Sequence, residues 1–367
     1  MKILVLAQDY PSEANRYAMN FVHTRNLEYK HNNLEVNVLS FDATSSYNYD
    51  GINILTEEEV VKNKLYSTSD IVISHAPNIR NHIRFLKKYI EKISHLVMFF
   101  HGHEVMNMNK YYPKPFSFMP SSKQNKYVQY IYDYFKLLTI KKFIIKLIKQ
   151  NKIQMVFVSN WMRDICIENT GLDRQAVMKN STVIPNSMNK VFLEKTYVPN
   201  QGKKGDFITI RPLDNPKYGV DIVVSLAEKH PHLTFDIYGK GNLFKYLDQP
   251  NNVRVYDEFL KPDELAEKLK GYSCAIMPTR LDAQGVMMCE IASYGMPVIT
   301  SDLPICKEML RDFPNVWFFN NEALDISLDN VLNEIDLVDD PQIKEKFSLK
   351  KTTLKEIELF NKLNKLT

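Results

Sequence analysis

Asp282 and Glu290 stand eight positions apart on either side of Gly285, in the run Met277-Pro-Thr-Arg-Leu-Asp-Ala-Gln-Gly-Val-Met-Met-Cys-Glu-Ile-Ala-Ser-Tyr-Gly-Met-Pro297. The run reads as a strand end, a loop and the start of a helix. A helix start carries free backbone N–H groups and the positive end of the peptide dipole, which suits a phosphate. Asp282, in the loop, faces whatever docks at the helix mouth. Glu290, more than one turn inside, reaches the same ligand further along. Diphosphate at the helix mouth with hydroxyls on the two acids describes a sugar nucleotide. The neighbours Cys289, Ile291 and Ala292 mark this helix as largely buried, and a buried carboxylate without a partner is costly, which favours a ligand role for Glu290 over a surface one.

Two cations stand close together upstream. Arg211 follows an apolar run directly, and Lys217 comes six residues later, in Arg211-Pro-Leu-Asp-Asn-Pro-Lys-Tyr-Gly-Val-Asp221. Cleaving a sugar–phosphate bond leaves negative charge on the leaving oxygen, and fixed cations aimed there lower the barrier. A solvated basic turn accounts for the same residues equally well. His101 and His103, in His-Gly-His-Glu, have the spacing of a metal pair but no cysteine or third histidine nearby. They read better as strand-end residues at the edge where α/β sheets bind ligands, and His75 shares that edge, where a satisfied structural residue accounts for it equally well.

The elements that must position these residues alternate. Short apolar runs at residues 3–7, 36–41, 71–74, 96–100 and 155–158 are separated by helical patterns, the mark of βαβ units. After a polar stretch at residues 198–205 the pattern restarts, with runs at 207–210, 233–239, 253–256, 274–277, 298–301 and 316–319. The expected class is α/β, with a domain at 1–200, a second at 201–340, and C-terminal helices over 341–367 that pack back toward the first. The stripe Phe347, Leu354, Ile357, Phe360 and Leu363 marks that final helical stretch, and Asp339-Asp340 reads as its acidic start.

The 367 residues, 44% hydrophobic and 25% charged, suffice for two cores. A net charge of +4 is too mild to argue for nucleic acid. Cys166, Cys274, Cys289 and Cys306 lack close pairing and read as reduced core residues of a cytoplasmic protein. The apolar N-terminal run falls far short of the ~20 residues of a membrane helix, so neither span nor signal peptide is expected. The absence of Gly-x-Gly-x-x-Gly after the first run disfavours a nicotinamide dehydrogenase. Walker A, His-Glu-x-x-His, paired-cysteine and Gly-x-Ser-x-Gly motifs are missing too.

Taken together, Arg211, Lys217, Gly239 in Ile-Tyr-Gly-Lys-Gly, Pro278-Thr279, Asp282 with Glu290, and Gly295-Met-Pro-Val resemble the C-terminal domain of family-4 glycosyltransferases, retaining enzymes of the GT-B fold. Met1-Lys-Ile-Leu-Val-Leu, Phe99-Phe100-His101-Gly102, Val158-Ser-Asn-Trp-Met162 and Ile184-Pro-Asn-Ser187 agree more loosely. The resemblance implies two Rossmann-like domains with parallel sheets facing across a cleft, donor on the C-terminal domain and acceptor on the N-terminal one. It implies that Arg211 and Lys217 hold a UDP- or GDP-sugar's diphosphate, that Glu290 bonds the ribose, and that Gly285 and Val286 offer N–H groups to phosphate and sugar. His101 resembles the family histidine near the reacting carbon, and Asp282 stands where relatives carry a glutamate near the sugar ring. The resemblance further implies transfer with retention by a front-face route in which the leaving phosphate helps deprotonate the acceptor, without cofactor or metal.

The helix pattern Lys136-Leu-Leu-Thr-Ile-Lys-Lys-Phe-Ile-Ile-Lys-Leu-Ile-Lys149 sets Lys142, Lys146 and Lys149 opposite Ile140, Ile144 and Leu147. It suits either an anionic membrane surface or ordinary packing on the sheet. The aromatic run Tyr127, Tyr130, Tyr132, Tyr134 and Phe135 precedes it. By analogy with that family, the expected activity is sugar transfer to a saccharide or lipid-linked hydroxyl in bacterial surface polysaccharide synthesis, in the cytoplasm or peripheral to the inner face of the membrane and with no nucleic-acid partner. A silent partner subunit, or an epimerase or hydrolase on the same fold, is the alternative.

Overall fold

The computed structural model describes residues 1–13, 15, 18–118, 126–334 and 344–365. Contacts divide the chain into one unit of Met1–Asn109, Lys126–Ser187 and Leu349–Thr367, and a second of Lys110–Asn125 and Met188–Ser348.

In the first unit the strands are β1 (Lys2–Ala7), β2 (Glu35–Ser40), β3 (Tyr47–Tyr49), β4 (Ile52–Leu55), β5 (Ile71–His75), β6 (Leu96–Phe100), β7 (Ile153–Phe157) and β8 (Ser181–Val183). They lie in the order β3-β4-β2-β1-β5-β6-β7-β8. All neighbours are parallel except β3 and β4. Ile3 to Ala7 are fully buried, as expected of a parallel strand covered on both faces, which is why these strands read as unbroken apolar runs. β3, β4 and β8 escape that reading because they are short and partly polar. Asp50 and Gly51 join β3 to β4 with φ of 49° and 75°, the two-residue turn that an Asp-Gly pair favours in a hairpin.

The second unit holds β9 (Gly205–Ile210), β10 (Phe235–Tyr238), β11 (Val253–Tyr256), β12 (Tyr272–Met277), β13 (Val298–Ser301) and β14 (Val316–Phe319). Their order is β11-β10-β9-β12-β13-β14, all parallel. β10 and β12 flank β9 on opposite sides, so the strand order reverses there. Such a reversal opens a crevice at the carboxyl ends of the strands, where α/β sheets take ligands. Arg211 is the residue that leaves β9.

The final helix, Leu349–Asn364, belongs to the first unit and packs on the helix Asn20–His31. Its buried face is less apolar than the sequence stripe suggests. Leu354 is exposed, whereas Thr352, Thr353, Glu356 and Phe360 are buried. Glu356 accounts for the difference: Arg25 Nε donates to its Oε1 at 3.0 Å, and the Tyr29 hydroxyl donates to Oε2. Phe360 meets Tyr29 ring to ring at 5.5 Å. Phe347 lies before the helix and stacks on Phe313 in the second unit. Residues 335–343, with Asp339 and Asp340, lie outside the described residues.

Glu356→Ala strands the Arg25 charge in an interior where a broken ion pair costs about 3–5 kcal/mol. Denaturant unfolding of the two proteins measures the loss; a value under about 1 kcal/mol, typical of exposed pairs, contradicts the role given to this pair.

Candidate active site

Three loops meet at the carboxyl edge of the second sheet. Arg211 N donates to Tyr238 O at 3.0 Å, which joins the exits of β9 and β10. Gly239 permits this approach, because a Cβ there would stand 1.8 Å from the carbonyl oxygen of Arg211. The loop from 211 to 219 is bound in turn to the loop after β12. Arg280 N and Thr279 Oγ1 both donate to Lys217 O, at 2.7 and 3.1 Å. The Arg280 guanidinium makes a paired contact with Asp221 at 2.8 and 2.6 Å. Backbone and side-chain bonds thus hold Arg211 and Lys217 near the residues that lead into Gly285.

Arg211 is only 5% exposed. Its Nε and Nη2 are buried and have no hydrogen-bond partner. Burial pulls its pKa down, and the charge of Asp282 works against that pull most strongly among its neighbours. The Tyr218 ring lies 5.4 Å from the Arg211 guanidinium and 5.2 Å from Lys217 Nζ, a packing that neutralises neither cation. Asp282 turns back on its own loop, where Oδ1 accepts from Ala283 N at 2.8 Å and Gln284 N at 3.3 Å. Gly285 then enters the helix Val286–Ser293 with φ 73°. It has no side chain to cap the first helical N–H groups, and a Cβ would press on Met288 at 2.4 Å. Val286 is exposed at the mouth, while Glu290 is 9% exposed and accepts from Asn189 N at 3.0 Å.

His101 lies in the first unit, just past β6. Its Nε2 is 3.2 Å from Nδ1 of His75, the last residue of β5. Glu104 fixes the backbone beside it, with Oε1 accepting from His101 N at 3.1 Å and Oε2 from Gly102 N at 2.6 Å. Lys136 Nζ donates to the carbonyls of His103 and Met106 and pairs with Asp133. A cavity of about 370 Å³ opens here, lined among others by Asn78, His101, Glu104, Gln129, Tyr132 and Lys136. Among the described residues no group of three or more His, Cys, Asp or Glu could hold a metal ion.

Residues 207–333 match the family described as glycosyl transferases group 1. The match covers the greater part of the second unit and marks it as a glycosyltransferase domain, and the chain as a whole has the GT-B fold. Three solved structures are similar over the whole length. Sucrose-phosphate synthase from Thermosynechococcus elongatus superposes with a TM-score of 0.70 at 11% identity, over 100% of both chains. A glycosyltransferase from Rickettsia africae ESF-5 gives 0.67 at 14%, over 100% of this chain and 99% of that one. HepE from Anabaena, solved with UDP and glucose, gives 0.64 at 14%, over 98% and 99%. At these identities the likeness is one of fold. Comparison with curated protein sequences finds no match.

In this glycosyltransferase Arg211, Lys217, Gly239, Asp282, Gly285, Val286 and Glu290 all lie in the second unit, and His101 alone lies in the first. Glu104, Lys136 and Tyr218 escape a reading of the sequence, because their roles come from loop closure and ring packing rather than spacing. In the helix Lys126–Lys149, Ile140, Ile144 and Leu147 are buried. Lys142 and Lys149 are exposed, but Lys146 pairs with Glu91 at 2.7 Å. Exposed apolar surface gathers instead at the other end of the helix, on Tyr130, Ile131, Tyr134 and Phe135. No helix among the described residues is long and apolar enough to cross a membrane.

Burial pushes the Glu290 carboxyl up to about 7, opposed by the bond from Asn189 N. An acid raised on folding binds its proton more tightly in the native state, so its contribution to stability is full below the unfolded pKa and fades as pH rises through about 7. Glu290→Gln abolishes that dependence. Thermal unfolding should find the variant more stable than the wild type at pH 8, by on the order of 1–3 kcal/mol, with the difference shrinking or reversing at pH 4.5. A difference independent of pH contradicts the assignment.

Proposed function

We propose that this glycosyltransferase moves a sugar from a UDP- or GDP-sugar to a hydroxyl of a saccharide or lipid-linked acceptor with retention, in the synthesis of bacterial surface polysaccharide. One observation carries the donor half of this reading. A guanidinium withdrawn from water with two unpartnered nitrogens costs several kcal/mol unless an anion meets it. Arg211 is such a group, held near Asp282 and the uncapped helix that Gly285 begins. A diphosphate supplies the missing charge and accepts from both the guanidinium and the helix N–H groups. Lys217 adds a second cation for the charge that develops on the leaving oxygen.

The remaining roles are those that the resemblance to family-4 glycosyltransferases implies. Glu290, deeper in the same helix, takes the ribose hydroxyls. Asp282 takes the sugar hydroxyls, and Gly285 and Val286 give N–H groups to phosphate and sugar. Residues 201–340 act as the donor domain and residues 1–200 as the acceptor domain, with His101 serving the reacting sugar. The cavity beside His101 seats the acceptor; its volume lies in the range of about 300–1,000 Å³ usual for small-ligand sites. A lipid-linked acceptor agrees with the exposed Tyr130, Ile131, Tyr134 and Phe135 and with Lys142 and Lys149 along the same helix. Aromatic rings and lysines together suit a peripheral hold on an anionic bilayer at its cytoplasmic face.

Thermal-shift titration with UDP and GDP tests the donor half. A nucleotide at about 100 times its dissociation constant stabilises by ~2.7 kcal/mol. Arg211→Met should raise the unfolding temperature of the ligand-free protein, since it removes an unpaired buried charge, and should abolish the nucleotide shift. A variant less stable than wild type that still shifts with UDP or GDP rules out the proposed grip. The two acids should separate in titration calorimetry and turnover. Glu290→Ala should weaken nucleotide binding about tenfold or more, whereas Asp282→Ala should bind nucleotide normally and transfer sugar poorly. Equal, wild-type behaviour of both removes their roles.

A further inference from the structure

The imidazoles of His75 and His101 face each other at 3.2 Å, Nδ1 to Nε2. One of these two nitrogens must carry the proton, so the tautomers of the rings are linked. His75 is fully buried, and its other nitrogen, Nε2, has no partner. The ring sits among aromatics, with Phe99 at 4.4 Å and Phe21 at 6.5 Å between centroids. If Nε2 held the proton, a buried N–H would be left unpaired. If Nδ1 holds it, the orphan is a bare lone pair, the less costly of the two omissions. The proton therefore belongs on His75 Nδ1, His101 Nε2 accepts it as a hydrogen bond, and the proton of His101 is left on its own Nδ1.

The surroundings keep both rings uncharged. Arg25, whose guanidinium lies 5.7 Å from the Phe99 ring, repels a positive charge on either histidine, and His82 adds to this at His75. Burial acts in the same direction and more strongly, holding His101 down to about 3 and His75 well below its ordinary value. Glu104, the acid bonded next to His101, is spent on backbone N–H groups and not on the ring.

We propose that His75 is a positioning residue: by donating Nδ1–H to His101 it locks the second imidazole in the Nδ1–H tautomer, so that His101 works in sugar transfer as a neutral hydrogen-bond donor and not as a proton acceptor. The inference rests on the reading of His101 as a residue that serves the reacting sugar. It separates the two histidines by role, one touching substrate and the other setting the first one's proton.

Nitrogen-15 NMR of the histidine side chains in the full-length protein tests it. In the wild type His101 should show a protonated Nδ1 and a bare Nε2, unchanged from pH 5.5 to 8. His75→Phe keeps a ring in the aromatic pocket and removes the donor; His101 should then populate the Nε2–H form. His75→Asn, whose amide can stand in for Nδ1–H, should restore the wild-type pattern. A proton on His101 Nε2 in the wild type, or a tautomer unaltered in His75→Phe, overturns the inference without touching the role of His101. That role is tested separately by release of UDP from UDP-glucose in His101→Ala, where turnover equal to the wild type removes it whatever the tautomer.

Discussion

A guanidinium held out of water without a matching acid is the constraint around which the second unit is organised. Arg211 closes strand β9 where the strand order reverses, so its backbone is tied into the sheet on one side and its side chain is carried inward. The carboxylate of Asp282 contributes electrostatic relief but no direct ion pair. Its Oδ1 is engaged by the backbone of its own loop. An unpaired buried charge costs folding energy, and the donor reading proposed above has an anion offset that cost.

The rest of that unit keeps the loops close enough for the charge to matter. Gly239 lets the β10 exit pass beneath the carbonyl of Arg211, and Gly285 admits the left-handed turn that aims an uncapped helix at the same edge. Thr279 and Arg280 pin the Lys217 backbone. Ser301 Oγ accepts from Thr279 N at 2.8 Å and Asn321 Nδ2 donates to Thr279 O at 2.9 Å, so the loop is held from β13 and from beyond β14 as well. None of these bonds touches a substrate in itself. Their effect is to place donors at fixed points, with the loops ordered in advance.

In the first unit the organising element is also a buried charge, but one that is paired. Arg25 and Glu356 come from the start and the end of the chain and meet inside the packing of two helices. The pair fastens the last helix and leaves a positive field beside two imidazoles at the ends of β5 and β6. A histidine in that field is kept neutral, and a neutral histidine recognises a hydroxyl or an ether oxygen by direction rather than by charge.

Much of the second unit was legible before any coordinates, because a parallel strand buried on both faces leaves an apolar run and a helix mouth leaves a glycine after a loop. The runs ending at Ile210, Met277 and Ser301, and the loop from Asp282 to Gly285, fall at those places. Short polar strands such as Tyr47–Tyr49 were not legible, since an edge strand need bury nothing, and neither was the final helix face, where Glu356 is buried and Leu354 of the apolar stripe is exposed. What the chain determined by itself is local: which segments are strands, where a turn requires glycine, and which side chains carry charge or a titrating ring. What only tertiary structure decided is which of those groups are left unsatisfied. Nothing in the spelling of Arg211 or His75 reveals that two guanidinium nitrogens and one imidazole nitrogen lack partners, because hydrogen bonding across distant segments depends on the packing of the whole unit and not on spacing along the chain.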